Sequence, residues 1–351
     1  MPSVVHVITT AKFAGAERYV SEAARETAAR GWKTAVVGGD PMRMPQLLGA
    51  AVCWRPGATP ARAVRSLAVL GRQDVCHAHM TLAEAAALAA RAFHRAPVIS
   101  TRHFGAPRGS TRPGRLAARW IGPRLAREIA VSDFVARRLE RPPDAVIRNG
   151  VAPMPLLWRP ENRVVLVLQR LEREKDTRTA LRAWHLSGLV KEGWRLRIVG
   201  DGDERGSLER VAADEHIEGV CFAGLTNDVE SELAGAGILL SPGAVDGFGL
   251  AVVEAMAAGV PVVASAAGGH LETVGELPKA RVFPPGDLTA AAEALRSLRA
   301  DHLRNELSIS GRTLAGRLFT ITAHVDALIR EYELAMRANG AARARLTEAA
   351  R

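Results

Sequence analysis

Residues 237–265 read GILLSPGAVDGFGLAVVEAMAAGVPVVAS. A short apolar run meets a glycine-rich loop, then apolar residues at helical spacing that stop at Gly259, then a second apolar run opened by Pro261. Strand, loop, helix and strand in this order predict a parallel sheet with helices packed on it. Two carboxylates, Asp246 and Glu254, interrupt the apolar stretch. Burying a carboxylate without a partner costs several kcal/mol, so protein groups or a ligand must satisfy both. The helix is expected to begin near Gly249, where free backbone N–H groups and the positive end of the dipole suit phosphate or sugar oxygens. Asp246 falls in the loop before it and Glu254 about a turn and a half inside. Two arrangements meet these demands. Either Asp246 caps the helix and Glu254 pairs with an arginine, or a polyhydroxylated, phosphate-bearing ligand satisfies the site.

Outward from this unit the same alternation recurs. VVHVIT (4–9), KTAVVGG, DVCHAH (74–79), PVISTRH (97–103), EIAVS (128–132) and DAVIRNG are expected strands, with GAERYVSEAARETAARG, TLAEAAALAARAFHR and DFVARRLE as helices between them. Pro153, Pro155 and Pro160 crowd VAPMPLLWRP, which reads as an interdomain connection. Beyond it RVVLVLQ, WRLRIVG, VCFAG, GILLSP and PVVAS alternate with DTRTALRAWHLS, RGSLERVAADEH and DVESELAGA. The fold class expected is α/β, two doubly wound domains of about half the chain each, 1–155 and 156–320, facing across a cleft. Ligands of such sheets sit beyond the carboxyl ends of the strands. A helix over 321–338 is expected to cross back to the first domain, and 339–351, GAARARLTEAAR with one further residue before it, to form a flexible tail.

The 351 residues are 48% hydrophobic and 24% charged, the composition of a globular protein able to bury two cores. Cys53, Cys76 and Cys221 lack metal-ligand or redox spacing, which fits a reducing, cytoplasmic setting. The N-terminus reads as a strand rather than a signal peptide, and the apolar runs are too short and too interrupted to cross a bilayer. Charge is unevenly divided. Residues 1–155 carry 23 Lys and Arg against 10 Asp and Glu, while the remainder carries 24 against 27. The excess peaks over 102–141, which either decorates solvated helix faces or meets an anionic partner. Aromatics at 5% and the lack of a recognition motif speak against nucleic acid.

The segment SPGAVDGFGLAVVEAMAAGVPVVAS resembles the E-x7-E signature of retaining glycosyltransferases of family 4, which have the GT-B fold of two Rossmann-like domains. The resemblance extends from about Val4 to Glu333. AGAERYVSEAARETAARGWKTAVV is similar to the family's GG-x-E opening, AVSDFVARRL and VIRNGV to its mid-chain pattern, LQRLEREKD to G-R-L-x-x-x-K-G, and IVGDGDERGSLERVAADEHIEGVCFAG to the stretch that follows. It implies that Arg170 and Lys175 hold a donor diphosphate, that Glu254 takes ribose hydroxyls, and that Asp246, Phe248, Gly249 and Leu250 surround the donor sugar. Gly15 would let the first strand-to-helix loop approach the diphosphate, and His103 would line the sugar and acceptor side. Asn149 and Gly150 match a structural pair. The implied activity is a retaining transfer from a UDP- or GDP-sugar to a cell-envelope lipid, glycan or natural product on the basic N-terminal half. The leaving phosphate would accept the acceptor's proton. No cofactor and no metal are implied, the nucleotide sugar being a substrate, and the setting is the cytoplasm or the inner face of an anionic membrane, contacted peripherally.

The chain departs from that pattern at several places. Asp246 stands where glutamate is usual, Ala14 where glycine is common, and Gln169 and Asp176 replace glycines beside Arg170 and Lys175. Gly200-Asp201-Gly202-Asp203 imitates both a dinucleotide fingerprint and a D-x-D metal motif, but lacks the acid after the next strand and a third metal ligand. His77 and His79 share one face of a buried strand and read as core residues. Two rivals of other classes bind the same donor: a GT-B sugar-nucleotide epimerase, and a non-catalytic nucleotide-sugar-binding protein.

Overall fold

The computed structural model describes residues 1–11, 15–109 and 118–349, with side chains as far as Ala341. The chain divides into two compact units, Met1–Ala152 joined by the stretch from Ile321 onward, and Pro153–Thr320. The boundary falls at the first of the clustered prolines, a few residues before the position expected.

In the first unit the described strands are β1 (Ser3–Ile8), β2 (Lys33–Gly38), β3 (Val52–Arg55), β4 (Val75–His79), β5 (Val98–Arg102), β6 (Arg127–Ala130) and β7 (Ala145–Val146). They form one sheet in the order β3-β2-β1-β4-β5-β6-β7 with every pairing parallel. β1, β4 and β5 are buried along their whole length, as strands covered on both faces must be. Their branched apolar residues pack with Leu67, Ala83, Ala87 and Ile121 into one core cluster. The short β3, VCWR, exposes Cys53 and Arg55, so it lacks the continuous apolar run that marks the central strands.

The second unit holds β8 (Val164–Leu168), β9 (Arg195–Val199), β10 (Val220–Gly224), β11 (Ile238–Ser241), β12 (Val262–Ser265) and β13 (Arg281–Phe283). Their order is β10-β9-β8-β11-β12-β13, again all parallel. Trp184, Trp194, Leu181, Leu196 and Phe283 anchor its core. In each sheet the winding direction reverses once, between β1 and β4 and between β8 and β11. Crevices of doubly wound sheets open at these reversals.

The terminal helix runs from Ile321 to Ala349, past the end expected for it at 338. Alanine and arginine are among the strongest helix formers, so AARAR continues a helix without an apolar face. Within the first unit Tyr332, Val325 and Leu328 of this helix are fully buried.

Candidate functional site

In the second unit the loops leaving β8 and β11 meet at the reversal. Gln169 follows β8 and holds the returning chain, its side-chain amide donating to the Lys175 carbonyl at 3.0 Å and to Thr177 Oγ1 at 2.9 Å. Asp176 has φ +49°, the left-handed conformation for which glycine is the usual choice. It keeps a second use there, accepting from Thr179 N–H and Thr179 Oγ1 to cap the helix Thr177–Ser187. The turn so fixed places Lys175 Nζ 2.5 Å from Asp246 Oδ2 in the loop after β11.

Asp246 is satisfied from both sides. Its Oδ1 accepts from the backbone N–H of Gly249 at 3.0 Å and of Phe248 at 3.4 Å, just ahead of the helix Leu250–Ala257. Burial alone would raise its pKa, but the Lys175 ammonium, with these hydrogen bonds, brings it down to about 2. The carboxylate is therefore ionised at neutral pH. The expected helix start holds: Gly249 is the residue before it, at φ +85°. Glu254 lies in the helix's second turn and is buried.

Phe248 turns its backbone, not its ring, toward the Asp246 loop. The side chain is buried and packs edge-on against Phe319 at 5.7 Å between ring centres, leaving its backbone N–H on the Asp246 side. Arg170 is not joined to the Lys175–Asp246 pair by any ion pair; it lies at the surface, 2.9 Å from Glu174. Exposed pairs of this kind contribute about 1 kcal/mol or less, so Glu174 holds Arg170 only weakly. The Gly200–Asp203 turn is a packing device. A Cβ on Gly200 would lie 1.8 Å from the Gln169 carbonyl oxygen, and one on Gly202 2.5 Å from that of Leu171. Leu171 N–H bonds to the Asp201 carbonyl, binding the two loops together.

The first unit carries a different chemistry at its reversal. His6 on β1, His77 and His79 on β4, His103 after β5 and His324 of the terminal helix are all buried. One line of hydrogen bonds has a fixed direction. His324 Nδ1 faces the Arg148 carbonyl at 2.8 Å and must donate, so its Nε2 accepts from the Tyr19 hydroxyl at 2.9 Å. Tyr19 then accepts from Thr101, Thr101 from His77 Nε2 at 2.7 Å, and His77 Nδ1 from Tyr332 at 2.7 Å. A second line joins His6 Nδ1 to His79 Nε2 at 3.1 Å and His79 Nδ1 to His103 Nε2 at 3.2 Å. His6, His77 and His79 bring ligand atoms within 4.8 Å of one another, close enough to share an ion. The hydroxyls of Thr101 and Tyr332 occupy both nitrogens of His77, so the set is held as a hydrogen-bonded core. Tyr19, Thr101 and Tyr332 escaped the sequence reading because their partners lie as much as 305 residues away.

Gly15, expected in a loop, is the first residue of the helix Gly15–Ala29 and is exposed; Ala14 lies outside the described residues. The basic stretch 102–141 is not a uniform surface. Arg102 and Arg108 are buried among Glu84, Glu128 and Glu140, with Arg108 Nε 2.6 Å from Glu84. Arg119, Arg124, Arg137, Arg138 and Arg141 remain exposed, Arg124 stacked on Trp120 and Arg138 on Phe134. Residues 110–117 of the stretch lie outside those described. Among the described residues no helix is long and apolar enough to cross a membrane.

Residues 13–153 match the family described as Glycosyltransferase Family 4, and residues 153–313 the family described as Glycosyl transferases group 1. The chain is 30% identical over 289 residues to the phosphatidyl-myo-inositol mannosyltransferase of Mycobacterium leprae, covering 77% of this chain and 76% of that one. It is 34% identical over 117 residues to an uncharacterized glycosyltransferase of Haemophilus influenzae, 33% of each chain. HepE of Anabaena, solved in complex with UDP and glucose, superposes with a TM-score of 0.77 at 18% identity, over 94% of this chain and 99% of that one. Two Rossmann-like units, each a parallel sheet with helices, define the GT-B fold of glycosyltransferases. The chain belongs to the family 4 glycosyltransferases.

Proposed function

We propose that this glycosyltransferase moves a sugar from a UDP- or GDP-sugar to a hydroxyl acceptor, with retention of anomeric configuration and without a metal or cofactor. The observation that carries the reading is the Lys175–Asp246 pair with the Phe248 and Gly249 amides at the reversal of the second sheet. A half-buried ammonium at a helix start, beside amides that Asp246 already orients, is a cradle for a diphosphate. In this reading Lys175 and Arg170 hold the phosphates, Glu254 takes the ribose hydroxyls, and the Asp246–Leu250 turn faces the sugar. Preformed charge and amides stabilise the leaving diphosphate, which takes the acceptor's proton. UDP and glucose in the Anabaena neighbour support a nucleotide-sugar donor.

The acceptor is assigned to the first unit, where His103 follows the end of β5. A lipid-borne acceptor fits the exposed Phe104 and Trp120 beside Arg119 and Arg124. Sedimentation with acidic liposomes at low salt tests that assignment, and absence of binding removes it.

The donor reading is tested by thermal shift of wild type and Glu254→Ala with UDP, GDP and their glucose and mannose conjugates. A ligand at 100 times its Kd adds about 2.7 kcal/mol of stability. One conjugate should stabilise wild type and leave the variant unshifted. No shift with any nucleotide would overturn the proposal.

A further inference from the structure

His270 stands outside every motif discussed so far. It lies in the turn Gly268–Glu272 that follows β12, fully buried, and its ring bridges the ends of two adjacent strands. Ser241 closes β11 and Ser265 closes β12. The Ser265 hydroxyl is 2.6 Å from the Gly243 carbonyl, which can only accept, so Ser265 donates there. Ser265 Oγ must then accept from His270 Nδ1–H at 3.0 Å, and His270 Nε2 accepts from the Ser241 hydroxyl at 3.1 Å. The carbonyl thus places a proton on Nδ1, and a ring kept neutral leaves Nε2 as the acceptor. Burial, the largest influence, keeps the ring below its ordinary pKa even against the Asp246 carboxylate.

The pinned ring supports the loop above it. A Cβ on Gly249 would come within 2.9 Å of His270 Cδ2, so the ring edge and the Gly249 backbone are in direct contact. The neighbouring residues grip the same loop from behind: Gly269 N–H donates to the Asp246 carbonyl at 2.8 Å. A Cβ on Gly268 would meet that carbonyl oxygen at 2.6 Å, and one on Gly269 would meet Phe248 Cα at 2.4 Å. Asp246, Phe248 and Gly249 therefore rest on a platform made by Gly268, Gly269 and His270.

We propose that His270 is a positioning residue of the donor site, fixing the Asp246–Gly249 turn through its contact with Gly249 and its bonds to Ser241 and Ser265. The inference rests on the donor reading given above. His270 touches no substrate; it sets where the turn's amides and the Asp246 carboxylate stand. Misplacement of a reacting assembly by about 1 Å can cost a hundredfold in rate, so a loosened platform registers in turnover before it registers in folding.

The test uses the full chain and compares wild type with His270→Ala, His270→Asn and Ser241→Ala. Asparagine can keep the donation to Ser265, and Ser241→Ala removes a single pin without opening a large cavity. The probes are UDP, GDP and their glucose and mannose conjugates, with Kd for the bare nucleotide and kcat and KM for release of nucleotide from the conjugate. Expected is a fall in kcat/KM of roughly tenfold to a hundredfold for His270→Ala, with the bare-nucleotide Kd changed less than about threefold. His270→Asn should recover part of the loss and Ser241→Ala should show a smaller one. If His270→Ala does not fold, the other two carry the comparison. Wild-type kcat/KM in the folded variants, or equal loss of nucleotide binding and turnover, overturns the positioning role. Failure of wild type itself to bind any probe overturns the donor reading instead.

Discussion

Lowering the pH from 7 to 5 should unfold the first unit, because its histidines are buried neutral. His6 and His103 are held down to about 3, by burial first and by His324 second, and His324 by burial to about 4. An unfolded histidine titrates near 6.5. Below that pH the unfolded chain takes up protons that the folded unit refuses. Stability is therefore complete above about pH 6.5 and declines as the pH falls toward 3 to 4. At pH 5 each of the three has lost about 2 kcal/mol, or about 6 kcal/mol together. That is comparable with the whole 5–15 kcal/mol that holds a domain folded. His77 and His79, lowered well below their ordinary range by burial and by the surrounding histidines, act in the same direction. The second unit has one buried histidine of this kind, His270, so it should resist longer. Urea titrations at pH 7, 6 and 5, with peptide-resolved hydrogen exchange to tell the units apart, measure the difference. An opening free energy of the first unit that changes by less than about 1 kcal/mol over this range would refute the neutral-network assignment.

Asp246→Asn should bind UDP about tenfold more tightly while turning over a nucleotide sugar at least tenfold more slowly. Removing one negative charge several ångströms from a polyanion is worth about 1.4 kcal/mol at an effective dielectric of 20–40, and weaker UDP binding by calorimetry would count against the Lys175 cradle. Gly249→Ala should destabilise the second unit by about 2–4 kcal/mol, from the positive φ and the overlap with His270. A melting temperature within 1–2 °C of wild type would show that the turn yields. Arg108→Met leaves the buried Glu84 and Glu128 without a shared cation and should cost about 3–5 kcal/mol by urea unfolding. A loss below 1 kcal/mol would refute the shared-cation reading.

The alternation of strands and helices was legible because each central strand is covered on both faces and so reads as a continuous apolar run. β3 was not legible, since Cys53 and Arg55 face solvent and break that pattern. The terminal helix extends past the expected 338 because alanine and arginine make its last turns' sequence, and helix propensity leaves no periodic apolar signal to read. Asp246, Glu254 and Lys175 could be named from spacing and resemblance. The 2.5 Å contact between Lys175 and Asp246 could not, because it joins loops 71 residues apart. His270 left a faint signal, a histidine after two glycines beyond an apolar strand, but its meaning depends on serines at the ends of two strands. Chain-distant contacts of this kind are a product of the sheet order, which local sequence does not encode.

The aspartate at position 246, where the sequence resemblance leads one to expect glutamate, follows from the same geometry. A carboxylate must fold back to amides two and three residues ahead while reaching the Lys175 ammonium. The short aspartate side chain does this as an Asx-type turn; glutamate, one methylene longer, would carry its oxygens past those amides. The two units also differ in kind at their reversals. The second sets an ammonium, a carboxylate and backbone amides there, a combination suited to a charged diphosphate. The first sets neutral imidazoles and hydroxyls there, buried and bonded to one another, so their role is to hold that unit together without net charge. A substitution that puts a fixed charge among the histidines, such as Thr101→Asp, should destabilise the first unit, measured by urea unfolding with hydrogen exchange.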